Sequence, residues 1–161
     1  MDYEYKPQRQ NYKAHGIVLA LVLLAIGCLI VAGFMPAYGV LVQSLAIILF
    51  VPAIYVTGKY LVTRYLYRVR TLEDGSVDLD VYAYRGGTKM QLVGRVGLWE
   101  ITRVEKLNDN NRRPVKGMER YSYSADIAPD DAMIVSITNE DGDCELLLAY
   151  DETLYRMLGG A

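Results

Sequence analysis

The sequence predicts an α+β membrane protein: an N-terminal two-helix transmembrane hairpin, then a small antiparallel β-barrel or sandwich of about seven strands, closed by a C-terminal helix. Three observations lead there. Two uncharged apolar runs, Gly16–Met35 and Gly39–Gly58, stand almost end to end. Beyond them the hydrophobic period drops to two between turn signals. The chain then closes on an amphipathic stretch behind a capping Asp. With 161 residues there is room for one folded domain plus attachments. Two Cys and a net charge of −2 exclude a disulfide scaffold and a basic nucleic-acid binder.

Residues 1–15 read as a cytoplasmic tail. The run GIVLALVLLAIGCLIVAGFM, Gly16–Met35, is long enough as a helix to cross about 30 Å of hydrocarbon. It exceeds the roughly 7–15 residues of a signal-peptide core, and no small-residue cleavage site follows, so it is expected to stay as a span. The run GVLVQSLAIILFVPAIYVTG, Gly39–Gly58, is the second span. In it Pro52 removes one backbone donor and leaves the Ile48 carbonyl without its helical partner. Only Pro36, Ala37 and Tyr38 link the two, so residues 16–58 must form an antiparallel hairpin. Cys28 and Ala32 offer a small-residue pair for close approach. Gln43 falls opposite Val31 and Ala32, either donating to the first helix's backbone or simply tolerated near the interface.

Lys6, Arg9 and Lys13 precede the first span; Lys59, Arg64, Arg68 and Arg70 follow the second; the turn has no charge. Lys and Arg concentrate on the cytoplasmic side, so both termini and everything after the hairpin are expected there.

After the hairpin, RYLYRVRTL (Arg64–Leu72) and VDLDVYAY (Val77–Tyr84) read as strands around the turn Glu73–Ser76. In the second, Val77, Leu79, Val81 and Ala83 point one way, while Asp78, Asp80, Tyr82 and Tyr84 point outward to solvent. TKMQLVGRV (Thr88–Val96) completes a meander with Met90 and Leu92 inward. Leu98–Ile101 reads as one helical turn, with Trp99 as a core plug, before a strand over 102–107. Asn108–Arg120 is a polar loop, expected to be the most mobile segment. YSYS (Tyr121–Ser124) is a short strand. AMIVSIT (Ala132–Thr138), the turn 139–142 and DCELLLAY (Asp143–Tyr150) form a hairpin. DETLYRML then starts a helix capped by Asp151, with Leu154, Met157 and Leu158 apolar and Gly159-Gly160 ending it. The β-domain over 62–158 is expected to fold without the hairpin when the chain is cut before Val62.

LEDGSVDLDVYAYRGG, VGLWEITRVEKL, AMIVSI and CELLLAYDETLYRML, in that order behind a membrane hairpin, resemble the bacterial pleckstrin-homology-like domains of small membrane proteins. YSYSADIAPDDAMIVSI is similar to segments of uncharacterised bacterial two-span proteins of this sort. The resemblance covers about Val62–Leu158. It implies membrane attachment and interaction, with no catalytic motif to carry over.

The search for chemistry returns little. His15 is the one His, at the mouth of the first span. Cys28 and Cys144 alone cannot build a zinc site. Gly86-Gly87 lacks the rest of a nucleotide fingerprint. Asp126, Asp130 and Asp131 lack calcium-loop spacing. Tyr65, Tyr67, Tyr82, Tyr84, Tyr121 and Tyr123 read as cross-strand pairs. Arg112, Arg113, Lys116 and Arg120 make the long loop basic, a candidate contact for lipid headgroups or a partner. The expectation is a non-enzymatic integral membrane protein without cofactor or metal, whose cytoplasmic β-domain binds a protein partner or self-associates. A lipid-headgroup sensor, or an accessory subunit of a membrane enzyme or transporter, is the alternative. No nucleic acid and no small-molecule substrate is expected.

Overall fold

The computed structural model describes residues 2–8, 12–34, 37–87, 89–139 and 142–160. The expectations at Arg9, Met35, Pro36, Thr88, Glu140 and Asp141 lie outside the described residues. The chain divides into a helical unit, residues 9–63, and a β-unit made of residues 1–8 and 64–161.

The helical unit is α1 (Tyr12–Phe34) and α2 (Gly39–Val56), with the last turns of α2 continuing as a π-helix over Thr57–Val62. Where the helix widens after Pro52, the Thr57 hydroxyl donates to the Ala53 carbonyl at 2.8 Å, and Thr63 does the same for Gly58. Each of these carbonyls also accepts the backbone N–H of the same threonine, so the hydroxyl adds a second hydrogen bond at that turn. The buried positions are Ala14, Ala25 and Ala32 on α1 and Gly39, Ala46 and Ala53 on α2. Ala14 stands eleven residues, about three turns, before Ala25, and the others recur every seventh residue, two turns, so one narrow face of each helix carries no bulk. A Cβ on Gly39 would meet the Ala32 carbonyl at 3.3 Å. The seam therefore runs through Ala25 and Ala32, whereas Cys28 is half-buried beside it. Gln43 is exposed, and its side chain makes no hydrogen bond among the described residues.

In the β-unit the seven strands expected after the hairpin are present. They are β2 (Thr63–Thr71), β3 (Val77–Arg85), β4 (Met90–Gly97), β5 (Ile101–Lys106), β6 (Glu119–Ser122), β7 (Ala132–Asn139) and β8 (Gly142–Ala149). The N-terminal tail supplies an eighth, β1 (Tyr3–Tyr5). No barrel closes. There are two four-stranded sheets, ordered β1-β2-β3-β4 and β5-β7-β8-β6, and β6 runs parallel to β8. Of the barrel and the sandwich that the sequence left open, the barrel fails because strand count does not fix pairing: Leu98–Glu100 makes a 3-10 turn that carries the chain from one sheet to the other. Glu100 fixes that turn by accepting from the Gly97 N–H at 2.7 Å.

Both sheets face one core, in which Tyr67, Val69, Leu79 and Val81 meet Met133, Val135, Leu146 and Leu148. Each such buried aliphatic side chain contributes roughly 1.5–3 kcal/mol. The short helix α3 (Glu152–Met157) adds Leu154 and Tyr155, and Leu158 follows. As expected, Asp151 caps α3 by accepting from Leu154 N at 2.9 Å. Gly159, at φ +96°, ends the helix in a conformation that a side chain would strain. Tyr67 joins the sheets at the centre. Its hydroxyl donates to the Tyr123 carbonyl at 3.0 Å and accepts from Ala149 N at 3.1 Å.

Two sequence expectations reverse here. Met90 and Leu92 are exposed. The register runs Val81↔Gly94 and then Tyr82↔Leu92, so Val93 is an extra residue. This bulge turns Leu92 and Met90 to the outer face beside Tyr82 and Tyr84. Trp99 plugs nothing: it is 79% exposed, lying over Gly97, where a Cβ would collide with its indole.

The cut before Val62 also reads differently. Tyr3 pairs with Val69 and Tyr5 with Tyr67. The Tyr3 hydroxyl donates to Asp151 at 2.7 Å, and the Tyr5 hydroxyl to the Tyr150 carbonyl at 3.2 Å. Removing everything before Val62 removes a strand of the β-unit itself.

Candidate functional site

A cleft of about 900 Å³ opens on the outer face of the second sheet, beneath the 107–118 loop. Its position follows from strand alternation. Met133, Val135 and Ile137 turn into the core, so Ile134 and Ser136 line the opposite face. Glu145 on β8 and Arg103 and Glu105 on β5 share that face, and the loop arches over it.

The loop, expected to be mobile, is crossed by hydrogen bonds of its own. Asn108 accepts from the N–H groups of Asn110 and Asn111 at 2.9 and 3.1 Å, while Asn111 reaches back to the Lys106 carbonyl at 3.0 Å. Arg120 completes it from β6. Its Nε donates to Glu145 Oε2 at 2.7 Å, and its terminal nitrogens donate to the carbonyls of Asn111, Arg112 and Arg113 at 2.9–3.2 Å. Arg120 and Glu145 are register partners in neighbouring strands, and both side chains are almost fully buried. A buried guanidinium with a carboxylate and three carbonyls has nearly all its donors engaged, which makes it a positioning group.

The four basic residues singled out in the sequence therefore divide. Arg120 is withdrawn into the floor. Arg112, Arg113 and Lys116 are exposed, and none of them has an ionic partner among the described residues. Arg113 lines the cleft, and Arg112 and Lys116 flank it along the loop. Sequence reasoning missed the floor. The available signal was Glu145, a lone carboxylate inside the apolar run CELLLA, which had to find a cation to be buried. Arg103 and Glu105 carried a second signal, their two-residue spacing placing them on one strand face.

The other sequence candidates lie elsewhere. Asp80, expected on a solvated face, is fully buried. Arg95 Nε stands 2.6 Å from Oδ1, and Arg70 Nε 3.0 Å from Oδ2 without hydrogen-bond geometry. The Tyr82 hydroxyl donates to the same carboxylate at 3.2 Å. Asp78, largely buried too, is 3.9 Å from Arg95. Alternation put both aspartates on the right face; the long arginines of β2 and β4 fold over that face and exclude water from it. Of the expected tyrosine pairs, Tyr65 meets Tyr123 edge-on at 6.0 Å, and Tyr67 instead meets Tyr5 at 6.1 Å. His15 is exposed on α1. Burial pushes the Cys144 thiol up, with Asp143 adding to the shift, so it is a poor nucleophile. Among the described residues no three His, Cys, Asp or Glu side chains stand together as metal ligands would.

No family model, no curated protein and no solved structure matches this chain.

Proposed function

We propose that this chain is a membrane-anchored recognition protein: α1 and α2 cross the bilayer, and the β-unit binds a protein partner or a second copy on the cytoplasmic side. One observation carries the anchor. The two helical stretches, Tyr12–Phe34 and Gly39–Val62, have mean hydropathy 3.1 and 2.2, yet only 11% and 17% of each apolar window is buried. A soluble protein's core helix hides such a surface. Here Leu19, Leu23, Ile30, Leu41, Ile48 and Ile54 face outward, and a hydrocarbon solvent removes the cost of that exposure.

The side follows from charge. Lys and Arg cluster at the two open ends of the hairpin, and Ala37 and Tyr38 of the turn carry none. The resemblance to bacterial pleckstrin-homology-like domains belongs to the same reading, supported by the run of seven strands and a closing helix after α2. The cleft supports recognition over bond-making, since its lining has no His or Cys and its carboxylates Glu105 and Glu145 are held by Arg103 and Arg120. The headgroup alternative draws on Arg112, Arg113 and Lys116. Against it, the β-unit carries all 19 acidic residues and 14 of the 17 basic ones, a net −5 that an anionic surface repels.

Two measurements test this reading. In intact cells, a membrane-impermeant thiol reagent should label Ala37→Cys and spare Asn110→Cys; the reverse pattern overturns the orientation, and extraction of the chain by carbonate overturns the anchor. A photo-reactive residue at exposed Val115 in the membrane-embedded chain should yield a protein adduct. An adduct with lipid alone would favour the headgroup alternative.

A further inference from the structure

We propose that the cleft beside β5 receives an extended, acidic peptide segment of a partner protein, which pairs with β5 as an added strand. This rests on the recognition reading above and names its ligand. Three independent features converge on that occupant. The first is an open edge: β5 ends the second sheet, with β7 as its neighbour. Among the described residues, the backbone of 102–105 has no hydrogen bond on its other side. Unpaired strand edges are templates for another strand. Lys106 closes the far end, because its carbonyl is taken by Asn111.

The second feature is the sign of the free charge. Arg103 and Arg120 have their carboxylates, but Arg113 lines the cleft with none, and Arg112 and Lys116 follow it along the loop. A chain of net charge −2 thus presents a local cationic rim beside its open strand edge. An acidic side chain on every second residue of an added strand would fall on the cleft face, the face that Arg113 lines.

The third feature is rigidity. Arg120 holds the carbonyls of residues 111–113, so the rim is fixed before anything binds, which lowers the ordering cost of association. A bilayer surface fits these features less well. It offers no backbone to β5, and the net −5 of the β-unit opposes it.

The test uses the full chain in detergent micelles and a fluorescein-labelled octapeptide of alternating Val and Glu, read by fluorescence anisotropy. Binding is expected, and the Val/Lys peptide should bind at least tenfold more weakly. A fully backbone-N-methylated Val/Glu peptide, unable to donate to β5, should not bind. Arg113→Glu should weaken binding about tenfold, the scale of one charge-assisted hydrogen bond, while Lys89→Glu, an exposed change on another loop, should leave it unchanged. The proposal is overturned if the Val/Glu peptide does not bind, if the N-methylated or Lys peptide binds equally well, or if Arg113→Glu binds normally. Displacement of the peptide by phosphatidylserine vesicles, dependent on Arg113, assigns the cleft to lipid and overturns it too. Failure here with a protein adduct still formed at Val115 rejects this ligand and leaves the recognition reading standing.

Discussion

The two units solve opposite packing problems with the same apolar residues. In the β-unit, Leu66, Leu79 and Leu148 are fully buried, and the close contacts are made by large side chains from facing sheets. In the helical unit, Leu19, Leu23 and Leu41 lie outside, and the close contacts are made by Ala and Gly. The difference shows what holds each together. Apolar burial drives the sheets onto one another. The helices satisfy their own backbone and meet along a seam narrow enough for dispersion contacts. Polar groups divide in the same way. The β-unit buries Asp80 and Glu145 and pairs both, while the buried positions of α1 and α2 are all Ala or Gly.

That comparison can be broken in several places. The largest effect is expected at Tyr67→Ala, which empties the centre of the β-unit and removes both hydrogen bonds between sheets. It should cost about 3–5 kcal/mol in thermal or denaturant unfolding, with the circular dichroism of the helices unchanged. Tyr67 also ties stability to pH. Burial raises its pKa above the ordinary tyrosine value of 10.0. The folded unit therefore holds the proton after the unfolded chain has lost it. Stability from this group is complete below pH 10, falls as pH rises from there towards the folded value, and should fall less steeply in Tyr67→Phe.

Next comes Arg120→Ala. It strands the Glu145 carboxylate and frees the carbonyls of 111–113, for an expected loss of roughly 3 kcal/mol. Amide exchange should accelerate over 108–118 and spare β2 and β3. If exchange there stays slow, Arg120 does not position the loop.

Ala46→Leu attacks the other unit. Bulk placed in the seam should push the helices apart at a cost of about 1–3 kcal/mol, seen as a longer spin-label distance between α1 and α2, while β-unit melting is unchanged. Loss of β-unit stability would show that the two units are not separable.

Asp151→Ala is smaller, about 1 kcal/mol, because it removes the cap of α3 and the acceptor of the Tyr3 hydroxyl. Faster exchange in β2 would confirm that the tail is held through this residue. Smallest of all is Leu23→Ala on the outer face of α1. It should change helix–helix distance and stability by no more than about 0.5 kcal/mol. A core-sized loss would place Leu23 in an interface that the comparison assigns to the surroundings.

The local order of this protein was legible in its sequence because the signals are local. Twenty-residue uncharged runs, alternation in VDLDVYAY, the Asp151 cap and the turn at Leu98–Glu100 each depend on neighbours a few residues away. Tertiary structure decided the rest. The strand at Tyr3–Tyr5 is only three residues of alternation, below the usual length of a strand signal, and it exists because β2 offers it an edge. The exposure of Met90 and Leu92 depends on one extra residue at Val93, visible only once β3 and β4 are paired. Whether Asp80 and Arg120 face water depended on residues far away in sequence, Arg70 and Arg95 for the first and Glu145 for the second. The cleft has the same origin. Its floor comes from strands separated by some 40 residues, so no window of sequence contains it. Alternation tells which face a side chain takes, but only packing tells whether that face meets water, because burial is a property of what lies above it.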